Sequence, residues 1–253
     1  MIWGKMLNAI LSGKAGSASI GAEENVSWRH IFRTNEDLLT ATIFERLSYL
    51  DGPTCWQILC STFGPVLPEH PIAIMRKIEF WPRWSDSLNE GRSVEPDVLL
   101  QFELGDDPPR KVDLIVEAKL GGQQYADQWR RQIQSYKKRS IDDGGGREVD
   151  AAYFLAIGGL DAPARQVIAR LSDPAPAALD EHIRVVAAAA EWSRLATAIQ
   201  ETKVGNQQTQ RVLDDVAQAL ELFGHGHIQE ISTLVNFEAL RSPDSLRILR
   251  APL

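Results

Sequence analysis

The stretch KVDLIVEAKL, residues 111–120, decides the fold of this chain. Its apolar residues occupy every second position, which is the period of a strand that turns one face toward a core. One face carries Val112, Leu114, Val116 and Ala118, and the other carries Asp113, Ile115, Glu117 and Lys119. The alternation therefore predicts that the side chains of Glu117 and Lys119 point the same way.

A second strand pattern, VEPDVLLQF at residues 94–102, precedes the first and is separated from it by GDDPP at residues 105–109. Glycine, aspartate and proline between two apolar runs favour a turn, so the two patterns predict an antiparallel hairpin. If Val98, Leu100 and Phe102 pack inward, Asp97 lies on the opposite face. Pairing across the hairpin can then bring Asp97 close to Glu117.

The rest of the chain places helices and further strands around this hairpin. Thr34 with Asp37 is a plausible helix cap, and apolar residues recur at helical spacing after it. The predicted elements are a helix at 35–50 with Leu39, Ile43, Leu47 and Leu50 on one face, a strand with Ile72, Ile74, Ile78 and Phe80 on one face, a helix at 123–140, strands at 151–157 and 183–188, and helices from Glu191 onward with breaks at Gly205, Gly224 and Ser242. Helix, three strands, helix and strand predict an α/β fold with a mixed sheet.

Length and composition limit the organisation of the chain. Its 253 residues correspond to one large domain, or one domain with appendages. The small, polar residues 12–24 predict a flexible joint, so we divide the chain into an N-terminal arm (1–34), a core (35–200) and a C-terminal helical appendage (201–253). No apolar run reaches the roughly 18 to 20 residues of a membrane helix, and no cleavage site follows the short apolar segment at 6–11. We therefore expect a cytoplasmic protein.

The hairpin residues suggest a chemistry. Two carboxylates in a half-buried site repel each other, and a hard divalent cation such as Mg²⁺ relieves that repulsion. A neighbouring lysine can orient or help deprotonate a water molecule and neutralise charge that develops on a phosphate. Asp97, Glu117 and Lys119 therefore favour metal-assisted hydrolysis of a phosphodiester.

Pro96-Asp97 followed by Glu117-Ala118-Lys119 resembles the PD-(D/E)xK nuclease superfamily, whose restriction-endonuclease-like core has the order α-β-β-β-α-β. Acid-x-Lys and Pro-Asp each occur twice in the chain, but only this pair is in the right order and on predicted strands. The resemblance implies that Asp97, Glu117 and the carbonyl of Ala118 bind Mg²⁺ or Mn²⁺, with Lys119 as the catalytic lysine. It also implies a further acidic ligand from the first helix, Glu36, with Asp37 and Glu45 as alternatives.

The helix after the lysine is similar to the Gln-x-x-x-Tyr signature of RecB-like nucleases in the same superfamily. Gln132 and Tyr136 carry the match, which implies a supporting catalytic role for the Gln132 amide. Gln124 and Gln128 lie close by in the sequence and remain alternatives. On a helical wheel the face shared by the signature contains Tyr125, Trp129, Gln132, Ile133 and Tyr136.

The opposite face of that helix is basic, although the whole chain carries a net charge of -7. Arg130, Arg131, Lys137 and Lys138 form a strip that we interpret as a surface for the phosphates of DNA, with RNA left open. Trp81, Arg83 and Trp84, in the segment after the first predicted strand, could stack on bases or cover the edge of the sheet, and core packing is the favoured interpretation of the tryptophans.

The predicted function is a metal-dependent nuclease that cuts DNA, in a setting such as bacterial restriction or phage defence. One alternative is an interaction module on a nuclease fold, with cleavage secondary or lost and a protein partner bound through the C-terminal helices. Another is a repair or recombination nuclease that recognises branched DNA by its shape. Formation of a homodimer would favour this alternative.

Overall fold

The fold is built around one five-stranded sheet. The computed structural model describes residues 7, 9–20, 23–142, 149–171 and 184–226. The helices and strands are β1 (Ser17–Ile20), β2 (Glu23–Ser27), α1 (Trp28–Thr34), α2 (Glu36–Leu47), α3 (Gly52–Phe63), β3 (Ala73–Phe80), β4 (Trp84–Ser85), β5 (Ser93–Val94), β6 (Val98–Leu104), β7 (Arg110–Ala118), α4 (Ala126–Asp142), β8 (Ala151–Ile157), α5 (Ala164–Leu171), β9 (Val185–Ala190), α6 (Trp192–Glu201) and α7 (Gln207–Leu222).

The sheet is mixed, as the sequence predicts. Its strand order is β3-β6-β7-β8-β9. β3, β6 and β7 pair antiparallel, whereas β7, β8 and β9 pair parallel. α4 connects β7 to β8 and α5 connects β8 to β9, which is the usual way to join parallel neighbours. The chain therefore has an α/β fold.

The two faces of the sheet pack against different helices. Val112, Leu114, Val116 and Ala118 belong to one buried cluster, to which α2, α3, α6 and α7 also contribute. Ile115 belongs to a second cluster, with Trp129 and Tyr136 of α4. The predicted alternation along β7 is confirmed, and it leaves Asp113 and Glu117 beneath α4.

Segments near both ends of the described part of the chain contribute to the first cluster. Leu7 and Ile10 are buried in it, and so are Leu213, Val216 and Leu220 of α7. The predicted breaks at Gly205 and Gly224 fall on either side of α7. Ser242 and the rest of the predicted C-terminal appendage beyond residue 226 lie outside the described residues. The described part of that appendage thus shares the core of the sheet.

The predicted hairpin forms, although its first strand is shorter than expected. The pattern at 94–102 divides into β5, which pairs with β4, and β6, which pairs with β7. Pro96 lies between the two strands, where its missing N–H removes no ladder hydrogen bond. Asp97 consequently lies just before β6 and not within a strand.

The predicted phase of β3 is wrong in its first half. Ile72 and Ile74 are 37% and 43% exposed, whereas Ala73 is buried. The register with β6 shifts between Met75 and Lys77. A bulge adds one residue to the strand, so side chains before and after it alternate in opposite phase. Only after the bulge do the even-numbered residues face the core as predicted.

Three predictions around the first helix also need correction. Asn35 caps α2 by accepting from the backbone N–H of Leu38 at 2.9 Å, and Thr34 is the last residue of α1. α2 ends at Leu47, and the helix α3 follows after Asp51, which caps it. The predicted joint, residues 12–24, contains β1 and the first residues of its partner strand β2. Local caps decide these boundaries, and apolar periodicity does not reveal them.

In the part of the chain that the structure describes, none of the helices combines the length and apolar character needed to span a bilayer.

Candidate active site

Pairing between β6 and β7 places Asp97 beside Glu117. Val98 pairs with Val116, so Asp97 and Glu117 face each other one position further along. The backbone N–H of Asp97 donates to the carbonyl of Val116 at 3.1 Å, and the N–H of Ala118 donates to Oδ2 of Asp97 at 2.7 Å. Asp97 is thereby fixed at the end of the sheet where Glu117 emerges.

Lys119 joins Glu117 to the first predicted helix. Its Nζ lies 2.6 Å from Oε1 of Glu117 and 3.2 Å from Oε1 of Glu36. Oε2 of Glu36 accepts from the backbone N–H of Leu120 at 2.7 Å. Of the three acids considered on this helix, Glu36 is the one that reaches the site. Asp37 is exposed, and Glu45 accepts from the hydroxyl of Tyr49.

The carboxylate of Glu117 is almost completely enclosed by α4. Nε2 of Gln128 donates to its Oε1 at 2.6 Å, and Nε2 of Gln132 donates to its Oε2 at 2.7 Å. Oε1 thus accepts from both Lys119 and Gln128. The carbonyl oxygen Oε1 of Gln132 is buried and has no hydrogen-bond partner. Two amides, and not one, orient this carboxylate.

The other residues of the predicted helix face have structural contacts or lie elsewhere. Gln124 donates to the carbonyl of Gly158 at 3.0 Å and accepts from the indole N–H of Trp129 at 2.9 Å. The hydroxyl of Tyr136 donates to Asp113 and does not reach Glu117. Tyr125 was wrongly placed on the buried face: it precedes α4 and is exposed, because the helix begins at Ala126.

Two glycines directly after β8 allow the backbone there to approach Lys119 closely. Gly158 and Gly159 have φ angles of +74° and +67°. A Cβ on Gly158 would lie 2.2 Å from the carbonyl oxygen of Lys119, and one on Gly159 would lie 2.8 Å from its Cβ. The same carbonyl accepts from the indole N–H of Trp192 at 2.8 Å. The backbone at Lys119 is therefore held from both sides.

Burial and mutual repulsion shift the titration of the acids. Burial, followed by the charge of Glu117, raises the pKa of Asp97 to about 7, against the lowering effect of the Ala118 N–H. Burial also raises the pKa of Glu117, although Lys119 and Gln132 oppose the shift. These carboxylates are costly to ionise in this environment.

The pKa of Lys119 is shifted upward, whereas the pKa of a typical buried lysine is shifted downward. Burial by itself would lower its pKa, but the carboxylates of Glu117, Glu36 and Asp97 outweigh that effect and raise the pKa. The ammonium form is therefore strongly favoured at neutral pH. In this arrangement Lys119 supplies positive charge and hydrogen bonds, and it is poorly suited to accept a proton.

The carboxylates converge on Lys119 rather than on a ready cation cage. Among the described residues, no three His, Cys, Asp or Glu side chains are grouped so as to hold a metal ion. The predicted ligand set of Asp97, Glu117, Ala118 and Glu36 stays a prediction. Ala118 is the last residue of β7 and is fully buried, and its N–H is bound to Asp97.

The basic strip on α4 carries less free charge than its sequence suggests. Nη2 of Arg131 lies 2.8 Å from Asp86, a fully buried side chain, and Nη1 of Arg130 lies 3.5 Å from Asp127. Lys138 is exposed and Lys137 is half-buried. The role of this strip in binding DNA stays a prediction.

The two tryptophans left open by the sequence have different environments. Trp84 is buried, with its ring centroid 5.8 Å from that of Tyr136. Trp81 is 38% exposed, and its backbone N–H donates to the carbonyl of Asp97 at 2.9 Å. Core packing thus explains Trp84, whereas Trp81 lies at the surface beside the site.

Comparison with known proteins gives one informative similarity. The chain is 38% identical over 160 residues to an uncharacterised protein of Pasteurella multocida (strain Pm70). The match covers 62% of this chain and 54% of the relative, so the chain spans about half the length of that protein. No family model and no solved structure matches the chain.

Proposed function

We propose that the protein is a metal-dependent nuclease that hydrolyses phosphodiester bonds in DNA. The observation that carries the proposal is the cluster of Glu36, Asp97, Glu117 and Lys119 at one end of the sheet. Lys119 donates to Glu36 and Glu117 at 3.2 and 2.6 Å, and the backbone N–H of Ala118 holds Asp97 beside them. The resemblance to PD-(D/E)xK nucleases supports the same assignment. It also suggests a role in restriction or phage defence.

The charge and chemistry of the donor set, rather than its present geometry, favour a hard divalent cation. Three carboxylates and one ammonium leave a formal charge of about -2 when all are ionised, which one divalent cation balances. The raised pKa of Asp97, about 7, indicates that this charge is costly without such a cation. Asp97 and Glu117 would hold Mg²⁺ or Mn²⁺, and the carbonyl of Ala118 and the carboxylate of Glu36 are proposed as further ligands. The bound ion would polarise the phosphoryl oxygen and activate the attacking water.

The protein side chains have distinct tasks in this mechanism. Lys119 presents an ammonium that neutralises negative charge developing on the phosphate and helps to orient the water. Gln128 and Gln132 fix the carboxylate of Glu117, and the Ala118 N–H fixes that of Asp97. These contacts preorganise the carboxylates, so little reorganisation is needed when the substrate binds.

The proposal is tested by incubating the purified chain with plasmid, linear DNA and RNA in the presence of Mg²⁺, Mn²⁺ or EDTA. We expect cleavage of DNA that needs the metal and is abolished in both Asp97→Ala and Lys119→Ala. Asp113→Asn is the matched control, since Asp113 lies on the same face of β7 but outside the cluster. Absence of cleavage by the wild type, or cleavage that persists in Asp97→Ala, would overturn the proposal.

The alternative of an interaction module that has lost catalysis has less support. Such a protein has no need of a buried glutamate, Glu117, held by a lysine and two amides beside a second acid, Asp97. The described part of the C-terminal region also packs into the core through α7, which leaves its buried residues unavailable to a partner. A nuclease accounts for both observations.

A further inference from the structure

Trp81 forms part of the border of the candidate site. It directly follows β3, whose last residue, Phe80, pairs with Val98, the first residue of β6. The pairing continues one step beyond the strands, because the N–H of Trp81 donates to the carbonyl of Asp97 at 2.9 Å. An exposed indole is therefore attached by its own backbone to one of the two central acids.

The backbone of Trp81 is held in an unfavourable conformation. Its φ is +48°, in the left-handed region that glycine and asparagine tolerate and that bulky residues rarely adopt. Strain of this kind persists where the surrounding structure imposes it, and it concentrates at functional sites. A glycine would fit this backbone more easily, so the ring itself needs an explanation.

Core packing does not supply that explanation. Trp56, Trp129 and Trp192 are fully buried, and each donates its indole N–H to an oxygen of the protein. Trp81 instead has more than a third of its surface exposed, and its ring meets that of Phe80 at a centroid distance of 5.6 Å. Phe80 supports the ring from within and leaves surface for a ligand outside.

The charge of the protein favours a ligand contact that does not depend on charge alone. The net charge is -7, and two cations of the basic strip, Arg130 and Arg131, lie against acids. Attraction for phosphates is therefore limited, whereas stacking of a base on an aromatic ring needs no net charge. Arg83 is exposed two residues from Trp81 and adds local positive charge for a phosphate.

From these observations we propose that Trp81 stacks on an unpaired base next to the phosphate that is cut, so that the substrate is single-stranded DNA or a single-stranded end. A base offers a free face to an aromatic ring only when it is outside a continuous duplex stack. This inference rests on the proposed nuclease function, which supplies the cut phosphate beside Asp97. The inference extends the proposed function by naming single-stranded DNA as the class of substrate that the site accepts.

Two ring variants and one control test the inference. Trp81→Gly removes the ring and suits a positive φ, whereas Trp81→Phe keeps an aromatic face. Tyr49→Ala removes an exposed aromatic residue that follows the C-terminal end of α2. Glu36 begins that 12-residue helix, which is about 18 Å long, so Tyr49 lies at the end of the helix far from the site.

Binding is measured by fluorescence anisotropy with a labelled single-stranded oligonucleotide and its duplex, with Mg²⁺ and in a Glu117→Gln background that prevents cutting. We expect tighter binding of the single strand. We also expect Trp81→Gly to weaken it by about 5- to 150-fold, the range for loss of one stacked base. Trp81→Phe should retain most of the affinity for the single strand, and Tyr49→Ala should change the affinity for neither the single strand nor the duplex. Equal binding of the single strand by Trp81→Gly and its parent, or a preference for the duplex, would overturn the inference.

Cleavage by the same ring variants, made with Glu117 intact, separates the two proposals. Ring-dependent binding without any cleavage by the wild type would retain the stacking role and overturn the nuclease. Metal-dependent cleavage with no effect of Trp81→Gly on the single strand would retain the nuclease and overturn the stacking role.

Discussion

Asp113 and Glu117 lie four residues apart on the same face of β7, beneath the same helix, and are 3% and 1% exposed. Asp113 accepts hydrogen bonds from the hydroxyl of Tyr136 at 3.0 Å and from the amide of Gln101. Glu117 accepts from an ammonium and from two amides. The first carboxylate ties a helix to the middle of the sheet, and the second belongs to a cluster at its end.

The difference shows that burial and strand phase do not by themselves bring a carboxylate into a charged cluster. Position at the end of the strand does, because there the sheet stops and other segments can bring further charged groups. Asp97 directly precedes β6, Glu36 begins α2, and Lys119 directly follows β7. Asp113 lies further inside β7, where both neighbouring strands continue past it.

The largest expected effect is on the rate of DNA cleavage, which should depend on Glu117 but not on Asp113. Glu117→Gln keeps the shape of the side chain but removes its charge, so we expect kcat for DNA cleavage to fall by about 10³-fold or more. The measurement is single-turnover cleavage with Mg²⁺. A loss of less than tenfold would mean that Glu117, like Asp113, is only structural.

The next effect concerns stability without metal. Burial raises the pKa of Asp97 to about 7 in the folded protein, whereas the pKa of an aspartate in an unfolded chain is about 3.9. Between these values the folded state holds more protons than the unfolded state, so the free energy of unfolding should fall as the pH rises through this window. The change is at most a few kcal/mol, since one pKa unit corresponds to about 1.4 kcal/mol.

Urea unfolding with EDTA at a series of pH values measures this dependence, and Asp97→Asn should make the same window flatter. Mg²⁺ at pH 8 should raise the melting temperature of the wild type and have less effect on Asp97→Asn. An equal rise in both proteins would place the ion elsewhere.

Asp113→Asn sharpens the comparison from the structural side. The amide places a donor where Asp113 accepts from Tyr136 and Gln101, so we expect a loss of about 1 to 3 kcal/mol in the free energy of unfolding. Cleavage below the melting temperature should remain within a few-fold of the wild type. Chemical denaturation and steady-state kinetics test the two parts, and a fall in kcat like that of Glu117→Gln would contradict the distinction.

The smallest effect concerns the amides that hold Glu117. Gln128→Leu removes one hydrogen bond to this carboxylate, and we expect kcat to fall about tenfold, the equivalent of about 1.4 kcal/mol. KM should change little, because Gln128 contacts Glu117 and is not expected to contact DNA. Gln124→Leu is the control: its contacts are to Gly158 and Trp129, so it should lower stability more than kcat. A rise in KM with unchanged kcat for Gln128→Leu would assign it to substrate binding.

Part of this site could be predicted from local pattern. Alternation places Asp113 and Glu117 away from the apolar face of β7, and a turn between two apolar runs brings Asp97 near Glu117. The resemblance to the Gln-x-x-x-Tyr signature implied Gln132 and left Gln128 as an alternative, and Gln128 lies four positions before Gln132, on the same helix face. A periodic search for polar residues on a buried helix face would have found both amides.

Other features depend on long-range contacts that no local pattern contains. The choice of Glu36 over Asp37 and Glu45 rests on a contact to Lys119 that spans 83 positions in the sequence. The bulge in β3 depends on its pairing with β6, and it exposes Ile74 where alternation predicts burial. Trp81 and Trp84 are both tryptophans and lie three positions apart, yet only Trp84 packs against Tyr136.

The sequence by itself determined the α/β class, the face of β7 that carries acids and the order of the central elements, because apolar periodicity and turn residues act over a few positions. Tertiary structure alone decided which acid of α2 joins the cluster, which amides hold Glu117 and which tryptophan remains at the surface. These outcomes depend on distances between segments far apart in the chain. Such distances are fixed only when the sheet and its covering helices pack together.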